Sequence, residues 1–323
     1  MNQETVEPAP EEIPAAEPAP DSLAPPPDSL PPAIAARPPR TMLPIVAAGV
    51  VVALLVVAVV AYAAAGIAFA SSRIASTRTT YNAVVAHQNA ITDELNAFDK
   101  NVTGVNLTSA TATQLKLSRA AYDTLVSQSQ AAQPTIAADD ASLASAQARL
   151  SENSWLTLFA RSDLNKASEK MGHERKALAA AKIISGDLVQ LGTFYQSFYD
   201  SLIDLDNLST KAQATDFTGA AAAISTLKAD IAKSIQLSSA PGLPADMKLF
   251  LTDFQTLAVD FGKLLDAAIA GDAGGASASL KAVDADITKI ESYDTDKMSN
   301  DIKAFYQPMI DTFNSEIARA NNM

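Results

Sequence analysis

Cysteine is absent from this 323-residue chain. That excludes disulfides, thiolate zinc sites, thioether-attached haem and a lipid anchor on cysteine. Histidine is nearly absent: His87 and His173 stand far apart, neither has a second histidine at metal-binding spacing, and both read as surface residues. Clustered Lys and Arg are also lacking. The net charge is −12, so the chain offers neither a nucleic-acid phosphate site nor a polybasic grip on anionic lipid. There is no phosphate-cradling glycine loop, dinucleotide fingerprint, zinc-protease helix motif or strand-borne Gly-x-Ser-x-Gly. No cofactor, metal or catalytic residue is expected, and the chain reads as non-enzymatic.

What is present is unevenly distributed. Residues 1–40 hold 12 of the 17 prolines, seven carboxylates and only Arg37 and Arg40 as cations. Such a segment buries too little surface to fold alone and reads as a disordered Pro/Glu-rich tail. It contains a short tandem repeat, Pro20-Asp21-Ser22-Leu23 and Pro27-Asp28-Ser29-Leu30.

Residues 41–70 carry no formal charge, and Met42–Ala70 has a Val/Leu-dense centre. At about 1.5 Å per residue this run exceeds the roughly 30 Å hydrocarbon core of a bilayer. It reads as a single-pass transmembrane signal-anchor. A leader cleaved after Ala68-Phe69-Ala70 has the small-x-small form, but the apolar run is much longer than such leaders carry. Arg40 abuts the run more closely than Arg73 or Arg78 do, which favours a cytoplasmic N-terminus and an extracytoplasmic domain.

Residues 71–323 show the three/four spacing of amphipathic helices almost throughout. Apolar residues fall at 250, 254, 257, 261, 264 and 268, and at 184, 188, 191, 195, 198, 202 and 205. Breaks are expected at Val102–Asn106, Pro134, Asn153–Ser162, Ala214–Gly219, Ala240–Pro244, Gly271–Gly275 and near Tyr293. They imply seven or eight helices with short connections.

Residues 216–233 (DFTGAAAAISTLKADIAK) align without a gap to 272–289 (DAGGASASLKAVDADITK), and the match extends upstream through Phe194/Phe250, Phe198/Phe254 and Asp204/Asp260. The fold class is therefore all-α: one N-terminal transmembrane helix, then an elongated antiparallel helical bundle with a duplicated hairpin over 194–289, about 56 residues apart. Asp216 and Asp272 are placed to cap the second helix of each unit, Gly219 and Gly275 to allow tight entry, and Asp230/Lys233 and Asp286/Lys289 to form exposed i,i+3 pairs.

The stretch 135–184 reads as a slender projecting hairpin with Trp155, Leu156, Leu158 and Phe159 near its turn, Trp155 being the only tryptophan. One transmembrane helix before a bundle, with Tyr81-Asn82 opening a long helix just beyond it, resembles the layout of bacterial LemA-like proteins, whose basic and aromatic segments do not follow here.

These features point to a membrane-anchored, non-enzymatic helical protein of the cell envelope. Its partners would be the lipid bilayer and a protein or envelope component met through Trp155, Leu156, Leu158 and Phe159. The alternative is an extracytoplasmic small-molecule sensor or carrier with a pocket between the repeated helices, walled by Phe194, Phe198, Phe250, Phe254 and Phe305. Core packing explains those aromatics equally well.

Overall fold

The structure, a computed structural model, describes residues 43–102 and 111–323, with side chains described at 59–89, at 92 and from 111 onward. The Pro/Glu-rich tail lies outside the described residues. The chain divides into two compact units at Leu55/Val56, and the second holds the bundle.

Among the described residues there are seven α-helices and no strand: α1 (Leu43–Val102), α2 (Ala112–Ser151), α3 (Arg161–Gln213), α4 (Phe217–Leu237), α5 (Ala245–Ala270), α6 (Ala273–Glu291) and α7 (Thr295–Asn321), with a 3-10 turn at Leu158–Ala160. Helix α1 is long and apolar enough to cross a membrane. Among its described side chains the qualifying stretch is Val59–Asn89, at mean hydropathy 1.3.

The expected break at Pro134 is not one. Pro134 lies inside α2, exposed, while Leu125, Ser129, Ala132, Ile136, Asp139 and Leu143 form an unbroken buried stripe past it. A proline inside a helix forfeits one hydrogen bond and costs about 3 kcal/mol. Here its ring faces solvent, and continuous burial on the opposite face offsets that loss.

Helix α3 organises the bundle, packing on α2, α4 and α7, while α5 pairs with α4 and α6. Its first half joins α1 and α2 around Ala70, Val84, Ile136, Leu143, Leu150, Leu164, Met171 and Leu178. Among the described side chains of α1 the buried residues, namely Gly66, Ala70, Thr77, Tyr81, Val84 and Gln88, follow the three/four/seven spacing of a seam against this hairpin. The second half of α3 enters the duplicated region. Leu208 joins Ile224, Leu227 and Ile231 of α4 and Phe254, Leu257 and Ala258 of α5, and Phe194 and Phe198 join Met247 and Leu251 of α5 and Met298 of α7.

The repeat holds to the level of single hydrogen bonds. In the first copy Thr215 N–H donates to the Ala212 carbonyl and Asp216 N–H to that of Lys211; in the second, Gly271 donates to Ala268 and Asp272 to Ala267. This is the paired closure that ends a helix on a left-handed residue. Thr215 and Gly271 both have positive φ, 55° and 68°. The next residue then starts the following helix: the Asp216 carboxylate accepts from Gly219 N–H and that of Asp272 from Gly275 N–H, both at 2.9 Å. Asp294 caps α7 the same way, accepting from Lys297 N–H at 2.8 Å.

Candidate functional site

The turn between α2 and α3 carries the residues singled out from the sequence. Trp155, Leu158 and Phe159 are 64%, 57% and 61% exposed, and Leu156 is half-buried. The turn is fixed from below by Thr157 and Ala160, both buried. It is fixed from the side by α1. The Tyr62 hydroxyl donates to the Trp155 carbonyl, and the Tyr62 ring stacks on that of Trp155 at 6.2 Å and meets Phe159 edge-on at 6.4 Å. Gly66 lies directly under the Leu156 carbonyl, where any Cβ would overlap the oxygen. About two turns further on, Arg73 donates to the Glu152 carbonyl at 2.5 Å and its guanidinium lies 4.2 Å from the Phe69 ring.

A polar layer follows along the same seam. His87 Nδ1 lies 3.1 Å from the Asp139 carboxylate, and Tyr81 donates to Asn321 Oδ1 at 3.2 Å. His173 is half-buried rather than a surface residue, its Nδ1 2.5 Å from Glu316 Oε2. That bond, with Arg319 nearby, holds the Glu316 carboxyl below its ordinary range. Between them Glu174 is fully buried with neither oxygen at hydrogen-bonding geometry. Burial pushes its carboxyl up, against a partial offset from Gln88, Tyr81 and Lys170. A groove of about 530 Å³ opens beside this layer, lined in part by Arg78, Tyr81, Lys166, Lys170 and Met323.

The aromatics of the repeat pack on one another. Phe194 and Phe198 stack on each other at 6.1 Å, Phe198 meets Phe250 at 6.0 Å, and Phe250 meets Phe254 at 6.2 Å. Phe194, Phe198 and Phe254 are buried, whereas Phe305 is 46% exposed and packs on Tyr306. The structure therefore does not bring Phe305 to the other four.

The i,i+3 pairs read from the repeat are replaced by carboxyl pairs. Asp230 faces Asp204 and Asp286 faces Asp260, at matching positions of the two copies, while Lys289 reaches across to Asp253 at 2.7 Å. Enclosure, then the Asp230 carboxyl, raises the Asp204 carboxyl to about 6, and enclosure followed by Asp260 raises that of Asp286. Among the described residues no group of three or more His, Asp or Glu could hold a metal ion. Asp216 and Asp272 are taken up as helix caps, and each lies fourteen positions from the Asp of its carboxyl pair, Asp230 or Asp286.

No family model, curated protein or solved structure matches the chain.

Proposed function

We propose that this chain is a membrane-anchored, non-enzymatic helical protein of the cell envelope. In this reading the bundle is held against the bilayer by α1 and meets an envelope component through Trp155, Leu156, Leu158 and Phe159. The supporting observation is that one helix serves both solvents: α1 is apolar enough to cross a membrane, and from Gly66 onward it carries a buried seam against the α2–α3 hairpin. We read the crossing into the uncharged run before Gly66 on its sequence, because from there on one face is covered by protein and Arg73 and Arg78 follow. Exposed Trp, Leu and Phe side chains grouped at one turn are the composition of a contact surface rather than of a solvated loop.

The N-terminus is assigned to the cytoplasm on the nearness of Arg37 and Arg40 to the apolar run. Alkaline carbonate washing of membranes tests the anchor: retention is expected, and release into the supernatant refutes it. Protease added to intact cells tests the direction. Digestion of the bundle with survival of an N-terminal tag is expected, and the opposite pattern reverses the assignment.

A further inference from the structure

We infer that the exposed tip at Trp155, Leu158 and Phe159 is seated in the polar–apolar boundary of the bilayer that α1 enters. This rests on the anchoring proposed above and names what the tip touches. Three observations select lipid as the occupant.

The first is position. The uncharged run Met42–Ala70 has 29 residues, whereas a hydrocarbon core takes about 20. Counted from Met42, the nine residues left over are 62–70. Those are the residues along which the tip lies, from the Tyr62 ring on Trp155 to Gly66 under Leu156.

The second is continuity. The surface of α1 beside the tip is itself apolar and uncovered: Val59, Val60 and Ile67 are 56%, 61% and 49% exposed. The exposed aromatic and aliphatic cluster therefore sits on a stretch of α1 that itself exposes aliphatic side chains. Contiguous apolar surface of this kind in a monomer marks a membrane or partner contact.

The third is the order of chemistry along the seam. Tyr62, Trp155 and Phe159 form one aromatic cluster, and Tyr and Trp concentrate where headgroups meet acyl chains. The charged groups begin just behind it. Arg73 binds Glu152, and Arg149 and Arg161, both exposed, flank the tip where they meet headgroup phosphates. Aromatic rings inward and guanidinium groups outward is the sequence of environments that an interface presents.

Trp155 is the only tryptophan, so its fluorescence reports the tip without assignment. The full chain is reconstituted into vesicles of phosphatidylcholine and phosphatidylglycerol. Expected are a blue-shifted emission, loss of about half of it to lipids brominated near the headgroup end of the acyl chain, and a smaller loss to lipids brominated near the methyl end. The variant Leu158→Ser/Phe159→Ser, altered only at exposed positions, should lower that quenching about twofold with unchanged helical circular dichroism.

Emission unaffected by brominated lipid but open to acrylamide places the tip in water and overturns the inference. A blue-shifted emission that brominated lipid does not quench places the tip under protein, a second copy or a partner, and also overturns it. Carbonate washing of the same vesicles separates the two readings. Release of the chain overturns the anchor and this inference together, whereas retention with an unquenched Trp155 overturns the inference alone.

Discussion

Replacing Asp204 with Asn removes one carboxyl from the Asp204–Asp230 pair and leaves a side-chain amide that can donate to Asp230. The wild-type Asp204 carboxyl sits at about 6, raised from 3.8 first by enclosure and then by Asp230, with Asp200 adding to the same effect and Asn207 opposing it. Asp200 is itself engaged by Arg119 at 2.9 Å, so its influence is partly neutralised. A carboxyl with a raised native pKa binds more protons folded than unfolded, so its stabilisation is present at low pH and is lost as pH rises through about 6. A rise from 3.8 to about 6 corresponds to roughly 3 kcal/mol. Asp204 is only half-buried, and solvent screening brings the expected figure to about 1–2 kcal/mol.

Asp204→Asn should therefore stabilise the protein at pH 8 by that amount, raising the melting temperature by about 3–6 °C. The gain should shrink toward zero near pH 4, where Asp204 carries its proton. Circular dichroism melts of the full chain in one detergent across pH 4–8 give the comparison. A variant less stable than wild type at pH 8, or a gain that does not change with pH, refutes the repulsion between the two carboxyls.

Three further outcomes follow from individual contacts and are read from the same melts. Asp216→Ala and Asp272→Ala should each cost about 1 kcal/mol by removing a cap, and their costs should add, since they start different helices. Thr215→Gly should stabilise by about 0.5–1 kcal/mol, because a β-branched residue holds the left-handed position that Gly271 fills in the second copy; Gly271→Thr should do the reverse. Glu174→Gln should raise stability at pH 8 by about 1–3 kcal/mol, since burial disfavours the charged carboxyl by more than Gln88, Tyr81 and Lys170 offset, and the gain should fall in acid.

The repeat was the most legible part of the sequence. Its frame located both turns, both aspartate caps and the hairpin pairing, because each depends on residues close together in the chain. The carboxyl pairs depend on residues 26 apart, and the alignment already contained all four: Asp204 and Asp230, Asp260 and Asp286. Reading Asp230 and Asp286 only against the lysines three positions on hid the partner across the hairpin. The His87–Asp139 and His173–Glu316 contacts join residues 52 and 143 positions apart, and no local pattern announces such pairs. The seam of α1 escaped for another reason. Its inward residues are Gly66, Ala70, Thr77, Tyr81, Val84 and Gln88, mostly small or polar, so a hydrophobic period scarcely registers although the spacing is regular.

That same composition bears on why an apolar run should be nine residues longer than a bilayer needs. Residues chosen for lipid alone would be large and apolar all round. Between 59 and 70 the two sides of α1 differ. Gly66 and Ala70 face inward and are buried, one of them too close to Leu156 for any side chain. Val60 and Ile67, about 100–120° round the helix from Gly66, remain exposed, as does Val59 one heptad before Gly66. Small residues on the inner side allow the hairpin tip to approach, which brings Trp155 against Tyr62. Large ones on the outer side would cost free energy in water, roughly 25 cal/mol for each Å² left wetted, unless lipid covers them. The apolar character ends at Ser71 and Ser72, and the next residue, Arg73, meets Glu152 on the inner side. On the anchoring proposed above, the surplus length is a stretch in which one face of the helix meets protein and the other lipid, with the tip at the edge of both.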